Sequence, residues 1–262
     1  MVNFNKKAAY DLSDLEEIVA ILRAPGGCPW DAEQTHESIR RDLMEESCEV
    51  IEAINEKDPD HLKEELGDLL LQVYMHAQME RELGRFTLFD VADAECKKLI
   101  YRHPHVFGEV SVADSEEVLV NWDALKRTEK HQDTYTDTLN AVAKSLPALW
   151  RAEKVQKKAK KAGFDWPDVS GALDKLSEEL SELKQAVAQG TNISEELGDL
   201  LFAAVNVSRF VKVDPETALT DATEKFISRF SKVEVLARQE GRDMAEMTPE
   251  ELDRLWETAK RA

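Results

Sequence analysis

One acidic pattern occurs twice in this 262-residue chain and limits what it can fold into. Glu45-Glu46-x-x-Glu49 is followed by Glu65-Leu66-Gly67-Asp68, and Glu178-Glu179-x-x-Glu182 by Glu196-Leu197-Gly198-Asp199. The EExxE elements lie 133 positions apart and the ELGD elements 131. Side chains three and four residues apart share one face of a helix. Each element therefore gathers its carboxylates on one helical stripe, and two such helices packed together aim four or more acids at one point.

A solvated charge run is the bland reading, and the surrounding residues argue against it. Glu45/Glu49 and Glu178/Glu182 are like-charge i,i+4 pairs, each costing a helix about 0.2–0.5 kcal/mol. None of the six EExxE glutamates has Lys or Arg four residues later. The apolar stripe of the first helix runs Ile39, Leu43, Glu46, Val50, Ile54, and that of the second runs Leu176, Glu179, Leu183, Val187. In both, the middle glutamate takes a core-facing step, where a bare carboxylate is very costly. Asp68 and Asp199 directly precede Leu-Leu-Leu and Leu-Leu-Phe, so both are expected beside buried positions. Two charges about 4 Å apart repel by roughly 4 kcal/mol at an effective dielectric of 20. A divalent cation relieves that repulsion, and all-oxygen ligands favour Mg²⁺ or Mn²⁺. All six histidines precede residue 135, which excludes a histidine-centred chemistry common to both copies.

Composition sets the class. With 42% hydrophobic residues, 10 Gly and 8 Pro, the chain reads as all-α. A formal charge of −19 argues against a nucleic-acid polymer as ligand, since such proteins present a basic surface. It leaves nucleotides open, because a bound cation inverts the local charge. Cys28, Cys48 and Cys96 form an odd set without zinc-like spacing, which fits a reducing cytoplasm. The opening residues lack the apolar core of a signal peptide, and no run approaches the roughly 18 apolar residues of a membrane span.

Ser13 with Glu16 reads as a capping box for a helix through about residue 23. Further helices are expected at about 37–56, 59–83, 88–102, 115–130, 138–161, 169–189, 193–211, 215–240 and 249–261, with a polar linker over 130–137. Other features recur in order. Gly27-Cys28-Pro29-Trp30-Asp31 is echoed by Gly163-Phe164-Asp165-Trp166, Lys98-x-x-x-Arg102 by Lys225-x-x-x-Arg229, and Trp122-x-x-x-Lys126 by Trp256-x-x-x-Lys260. Two homologous helical domains follow, 1–135 and 136–262, the signature of a duplication. Lys225 and Arg229 share a helix face that calls for an anion. Trp256 can stack on a base and Lys260 can reach phosphate.

The two copies differ. One turn before Glu179 stands Lys175, whose counterpart is the acid Asp42. Asn206 continues the face of Glu196 and Asp199, and its counterpart is the apolar Met75. The first site keeps its acids but loses two polar groups, so it is expected to be weak, regulatory or structural.

Taken together, these motifs resemble the MazG-type nucleoside triphosphate pyrophosphohydrolases over about residues 11–261. The resemblance implies an all-α fold of tandem MazG-like helical bundles and a homodimer. It implies Mg²⁺-dependent hydrolysis of nucleoside triphosphates between the α- and β-phosphates, giving monophosphate and pyrophosphate. By motif, Glu179, Glu182, Glu196 and Asp199 would hold metal, with Glu46, Glu49, Glu65 and Asp68 as a second set. Lys175, Lys225, Arg229, Trp256 and Lys260 would hold nucleotide, joined more weakly by Asn206 and the first-copy residues Lys98, Arg102, Trp122 and Lys126. Glu178 or Glu179 would position or deprotonate the attacking water. The competing reading is a nucleotide sensor that binds without turnover.

Overall fold

The computed structural model describes residues 4–130 and 132–261; His131, within the expected linker, lies outside them. Among the described residues every regular element is helical. None is long and apolar enough to cross a membrane. The chain divides into two compact units, Met1–Asp123 and Ala124–Ala262. That division falls inside a helix, ahead of the residue 135 expected from the polar stretch.

The first unit opens with α1 (Leu12–Arg23) and the short α2 (Pro29–Glu33). Its centre is an antiparallel hairpin of α3 (Arg40–Glu56) and α4 (Pro59–Glu82), followed by α5 (Leu88–Arg102), α6 (Pro104–Phe107) and α7 (Ser115–Glu129), which crosses the division. Its core joins Val19, Ile39, Tyr74, Met75 and Met79, with Leu15, Leu70, Leu71 and Leu88 packed around them. Arg23 ties α1 to the hairpin by donating to both Glu82 oxygens at 2.9 and 3.0 Å, and to the carbonyls of Asp31 and Gln34.

The second unit holds α8 (Tyr135–Asn140) and α9 (Ala148–Lys161), then the hairpin α10 (Val169–Gln189) and α11 (Ile193–Val211). The long α12 (Pro215–Gln239), a 3-10 turn at Met244–Glu246 and α13 (Pro249–Ala259) complete it. Val233, Ala237, Met247, Leu255 and Ala259 form the core between α12 and α13. The Trp150 indole on α9 donates to Asp214 at 2.9 Å, holding α9 against the start of α12.

Several expectations are corrected. The capping box of α1 is Asp11 with Asp14; the Ser13 hydroxyl instead donates to Asp11. The helix expected over 138–161 is broken, because Pro147 stands before α9 and its ring disfavours helical backbone at the preceding residue. The expected linker is partly helical, since Thr134 and Asp137 form a capping box that starts α8. The apolar stripes also end differently. Ile54 and Val187 are 54% and 59% exposed, while Ala53 and Ala186 are buried. The inward lines, buried or half-buried throughout, run Ile39, Leu43, Glu46, Val50, Ala53 and Ala172, Leu176, Glu179, Leu183, Ala186, alternating four and three residues as in a coiled-coil seam. The two lines are superposable by the 133-residue repeat.

The entry to α10 depends on one glycine. A Cβ on Gly171 would lie 1.8 Å from Cδ1 of Trp166, so the indole rests against bare helix backbone. Alanine ordinarily gains about 1 kcal/mol over glycine inside a helix. Here overpacking, at about 1–3 kcal/mol, opposes that gain. Gly171→Ala is expected to lower the urea midpoint and change the Trp166 emission. An unchanged or raised midpoint would mean the indole is not held against this backbone.

Candidate metal and nucleotide site

The hairpins explain why the acids meet. Glu49 lies eight residues before Lys57 at the turn, and Glu65 eight residues after it, so antiparallel packing brings them level. In the first copy, carboxylate oxygens of Glu46, Glu49 and Glu65 all lie within 4.8 Å of one another. In the second copy the same holds for Glu179, Glu196 and Asp199. Glu65 and Glu179 are buried, 9% and 6% exposed. Each threesome omits one expected acid, Asp68 in the first copy and Glu182 in the second. Asp68 and Asp199 are themselves exposed; of the neighbours expected to be buried beside them, Leu69, Leu70 and Leu71 are half-buried, whereas Leu201 and Phe202 are exposed.

The omitted acids still act on their clusters. Glu182 shares a hydrogen bond with Glu179, which together with burial pushes its carboxyl above the ordinary range. Burial and then the charge of Asp68 push Glu46 up, and burial and then Glu49 push Glu65 up. For Glu46 and Glu65 burial leads and the facing carboxylates add to it, so each charged form is disfavoured.

The cationic neighbours differ between copies. Lys175 Nζ lies 2.7 Å from Glu179 and 2.8 Å from Glu178, and those bonds raise its pKa. The first copy has Asp42 in that place. It has instead His61, whose Nε2 is 3.1 Å from Glu65 and whose Nδ1 is 2.9 Å from Glu56. Sequence reasoning passed over His61, although its i,i+4 spacing to Glu65 was a readable signal. Met75 is sealed in the core of the first unit, whereas Asn206 is half-buried and accepts hydrogen bonds from Arg209. Arg209, which also grips Asp165, was likewise missed.

The remaining expected nucleotide residues lie on α12 and α13. Lys225 is exposed and Arg229 half-buried on one face of α12. Trp256, half-buried, packs on the α12–α13 core and against the Phe226 ring at 5.3 Å between centroids. Lys260 pairs with Glu257, whose carboxyl is held below its ordinary range by Lys260 and, more weakly, by Arg229. In the first copy Lys98 pairs with Glu95, and Arg102 is buried. Trp122 and Lys126 are half-buried on α7.

A family model described as the MazG nucleotide pyrophosphohydrolase domain matches residues 34–107 and again 169–234. The chain belongs to the MazG family. Both matched segments contain an acid hairpin, and the second also contains Lys225 and Arg229. A Thermotoga maritima relative named nucleoside triphosphate pyrophosphohydrolase/pyrophosphatase MazG is 46% identical, covering 97% of this chain and 98% of its own. An Escherichia coli K12 relative named nucleoside triphosphate pyrophosphohydrolase is 43% identical over 93% of this chain and 95% of its own. The Bacillus subtilis protein YabN is 47% identical over 96% of this chain, which spans 52% of YabN.

The raised carboxyls of the MazG hairpins carry a pH signature. A carboxyl that holds its proton more tightly when folded loses stability for the fold as pH rises from its ordinary 4.5 through the raised value. Glu46→Gln removes that loss. In the absence of divalent metal the variant is expected to melt above the wild type at neutral pH, with the gap closing as pH falls below about 4.5. Equal melting temperatures across this range would mean that the cluster is not strained.

Proposed function

We propose that the protein is a Mg²⁺-dependent nucleoside triphosphate pyrophosphohydrolase, working through its second acid hairpin. The observation that carries this reading is the meeting of Glu179, Glu196 and Asp199 within 4.8 Å, inside a segment matched by the MazG model. The names of the Thermotoga and Escherichia coli relatives support it. The donor set fits Mg²⁺ or Mn²⁺, being all carboxylate with no histidine among its members. Glu179, Glu196 and Asp199, with Glu182 beside them, would hold the ion, which would supply charge neutralisation for the triphosphate.

The chain's own groups do the rest. Lys175, within reach of both motif glutamates, would move onto a phosphate oxygen once Glu179 turns to its ligand role. Glu178, exposed at the same turn, would orient a water and accept its proton. Attack in line on the α-phosphorus breaks the bond to the bridging oxygen and releases pyrophosphate from the monophosphate. Lys225 and Arg229 would balance phosphate charge, with Lys260 beside them. The half-buried Trp256 would stack on the base.

The same reading assigns catalysis to 136–262 and a weak, regulatory or structural role to 1–135. Asp42 adds repulsion where a triphosphate needs Lys175, Met75 is sealed in the core, and His61 occupies Glu65. If that half binds nucleotide at all, it acts as a sensor. Homodimerisation is supported by large apolar side chains left exposed on the second hairpin, among them Leu180, Leu197 and Leu201. A cytoplasmic setting suits the three free cysteines.

Products decide the reading. Incubation with common nucleoside triphosphates and Mg²⁺ is expected to yield monophosphate plus pyrophosphate, with orthophosphate appearing only after pyrophosphatase is added. Glu196→Ala is expected to lose turnover by at least about a hundredfold, or roughly 2.7 kcal/mol of barrier, while Glu65→Ala keeps most of it. Full turnover in Glu196→Ala would overturn the site assignment. Intact nucleotide across the whole panel would favour the sensor.

A further inference from the structure

Arg209 lies one turn beyond Asn206 on α11, and its side chain is only 6% exposed. Every contact of its guanidinium is specific. Nη1 donates to Asp165 Oδ2 at 2.9 Å, and Nη2 donates to Asp165 Oδ1. Nε and Nη2 both donate to Asn206 Oδ1, at 3.0 and 2.6 Å. The guanidinium carbon stands 4.5 Å from the centre of the Phe210 ring. Asp165 belongs to the Gly163–Trp166 loop, whose indole rests on Gly171 at the start of α10. One buried cation thus joins the loop, α11 and the side chain of Asn206.

The chemistry of this junction fixes a direction. A guanidinium carries donors and no acceptor. The amide oxygen of Asn206 must therefore face Arg209, and the amide nitrogen must face away from it. Glu196, Asp199, Ala203 and Asn206 follow one another at three- and four-residue steps along one face of α11. The group that Asn206 offers on the acid-bearing face is consequently an NH₂, a donor for an oxygen atom. The Arg209 charge is spent on Asp165, so it does not itself draw phosphate away from the metal acids.

The first copy lacks all three parts together. Met75 replaces Asn206 and Gln78 replaces Arg209, and aligning Trp30 with Trp166 puts Pro29 at Asp165. Gln78 turns instead to Glu82. Where the amide is missing, its clamp is missing too.

We infer that Arg209 is a positioning residue, which sets Asn206 as a hydrogen-bond donor to an oxygen of the bound nucleoside triphosphate and holds the Gly163–Trp166 loop on α11. This rests on the pyrophosphohydrolase reading and adds to it a residue that touches no substrate.

The full-length protein tests it through pyrophosphate release with Mg²⁺, in parallel with calorimetric binding of a non-hydrolysable α,β-methylene triphosphate analogue. Wild type is compared with Arg209→Gln, Asn206→Ala, Asn206→Asp and the Arg209→Gln/Asn206→Ala double variant, each with a thermal melt. KM and the analogue Kd are expected to rise about tenfold in both single variants, the equivalent of one lost hydrogen bond, with kcat within about threefold. The double variant is expected to be no weaker than either single, because both remove the same contact. Asn206→Asp keeps an oxygen for Arg209 but replaces the donor with a carboxylate oxygen, so its KM and Kd rise at least as far. Unchanged KM and Kd in Asn206→Asp, single effects that multiply in the double, or an Arg209→Gln that lowers only the melting temperature would each overturn the inference. If Arg209→Gln does not fold, the two Asn206 variants decide. A wild type that binds the analogue without releasing pyrophosphate refutes the hydrolase reading and leaves the comparison standing in Kd. One that does neither refutes both.

Discussion

Carboxylates forced into the seam of a helical hairpin are the interaction on which the rest of this structure depends. Glu46 and Glu179 occupy the middle step of a four-three apolar line, flanked by Leu43 and Val50 in one copy and by Leu176 and Leu183 in the other. Apolar packing on both sides holds each helix in register with its partner. The register then fixes which helix face the glutamates occupy. Burial and repulsion raise the cost of ionising Glu46 and Glu65, and the hydrogen bond with Glu179, with burial behind it, raises that of Glu182. The hairpin thus carries a strained cluster of acids, of the kind that perturbed carboxyls form at functional sites.

Duplication makes the two copies informative about each other. Both keep the seam and the acids, so those features answer to folding and to the niche. They diverge in what surrounds the niche. The second copy sets Lys175 against Glu178 and Glu179, and carries the Asp165–Arg209–Asn206 junction. The first copy sets His61 against Glu65 and closes the corresponding volume with Met75 in its core. Under the proposed hydrolase reading a triphosphate needs a cation and a donor beside these acids, and Lys175 and the Asn206 amide on the second hairpin supply them. The asymmetry of function proposed for the halves thus lies in a handful of side chains on a shared frame.

Much of the frame was legible in the chain because its determinants are local. Asp58-Pro59, Asp214-Pro215 and Thr248-Pro249 start helices through a capping oxygen and a proline that needs no N–H partner. The acid stripes follow from helical period alone. The misreadings came where two local signals competed. Asp11 outcompeted Ser13 as the cap of α1, and Pro147 interrupted a stretch whose hydrophobic spacing still read as helix. Ile54 and Val187 fit an apolar stripe equally well as Ala53 and Ala186, and the choice depends on how closely the partner helix approaches.

By itself, the sequence determined the helical class, the duplication, the capped helix starts and the identity of the acids, because each is encoded within a few residues of chain. Tertiary structure alone decided which three acids of each four converge, and that His61 answers Glu65 in one copy while Lys175 answers Glu179 in the other. It alone revealed Arg209, since Asp165 lies 44 residues away in sequence and meets it only once α11 packs against the loop before α10. Contacts of that kind depend on rotation and approach between packed helices, quantities that no short stretch of sequence specifies.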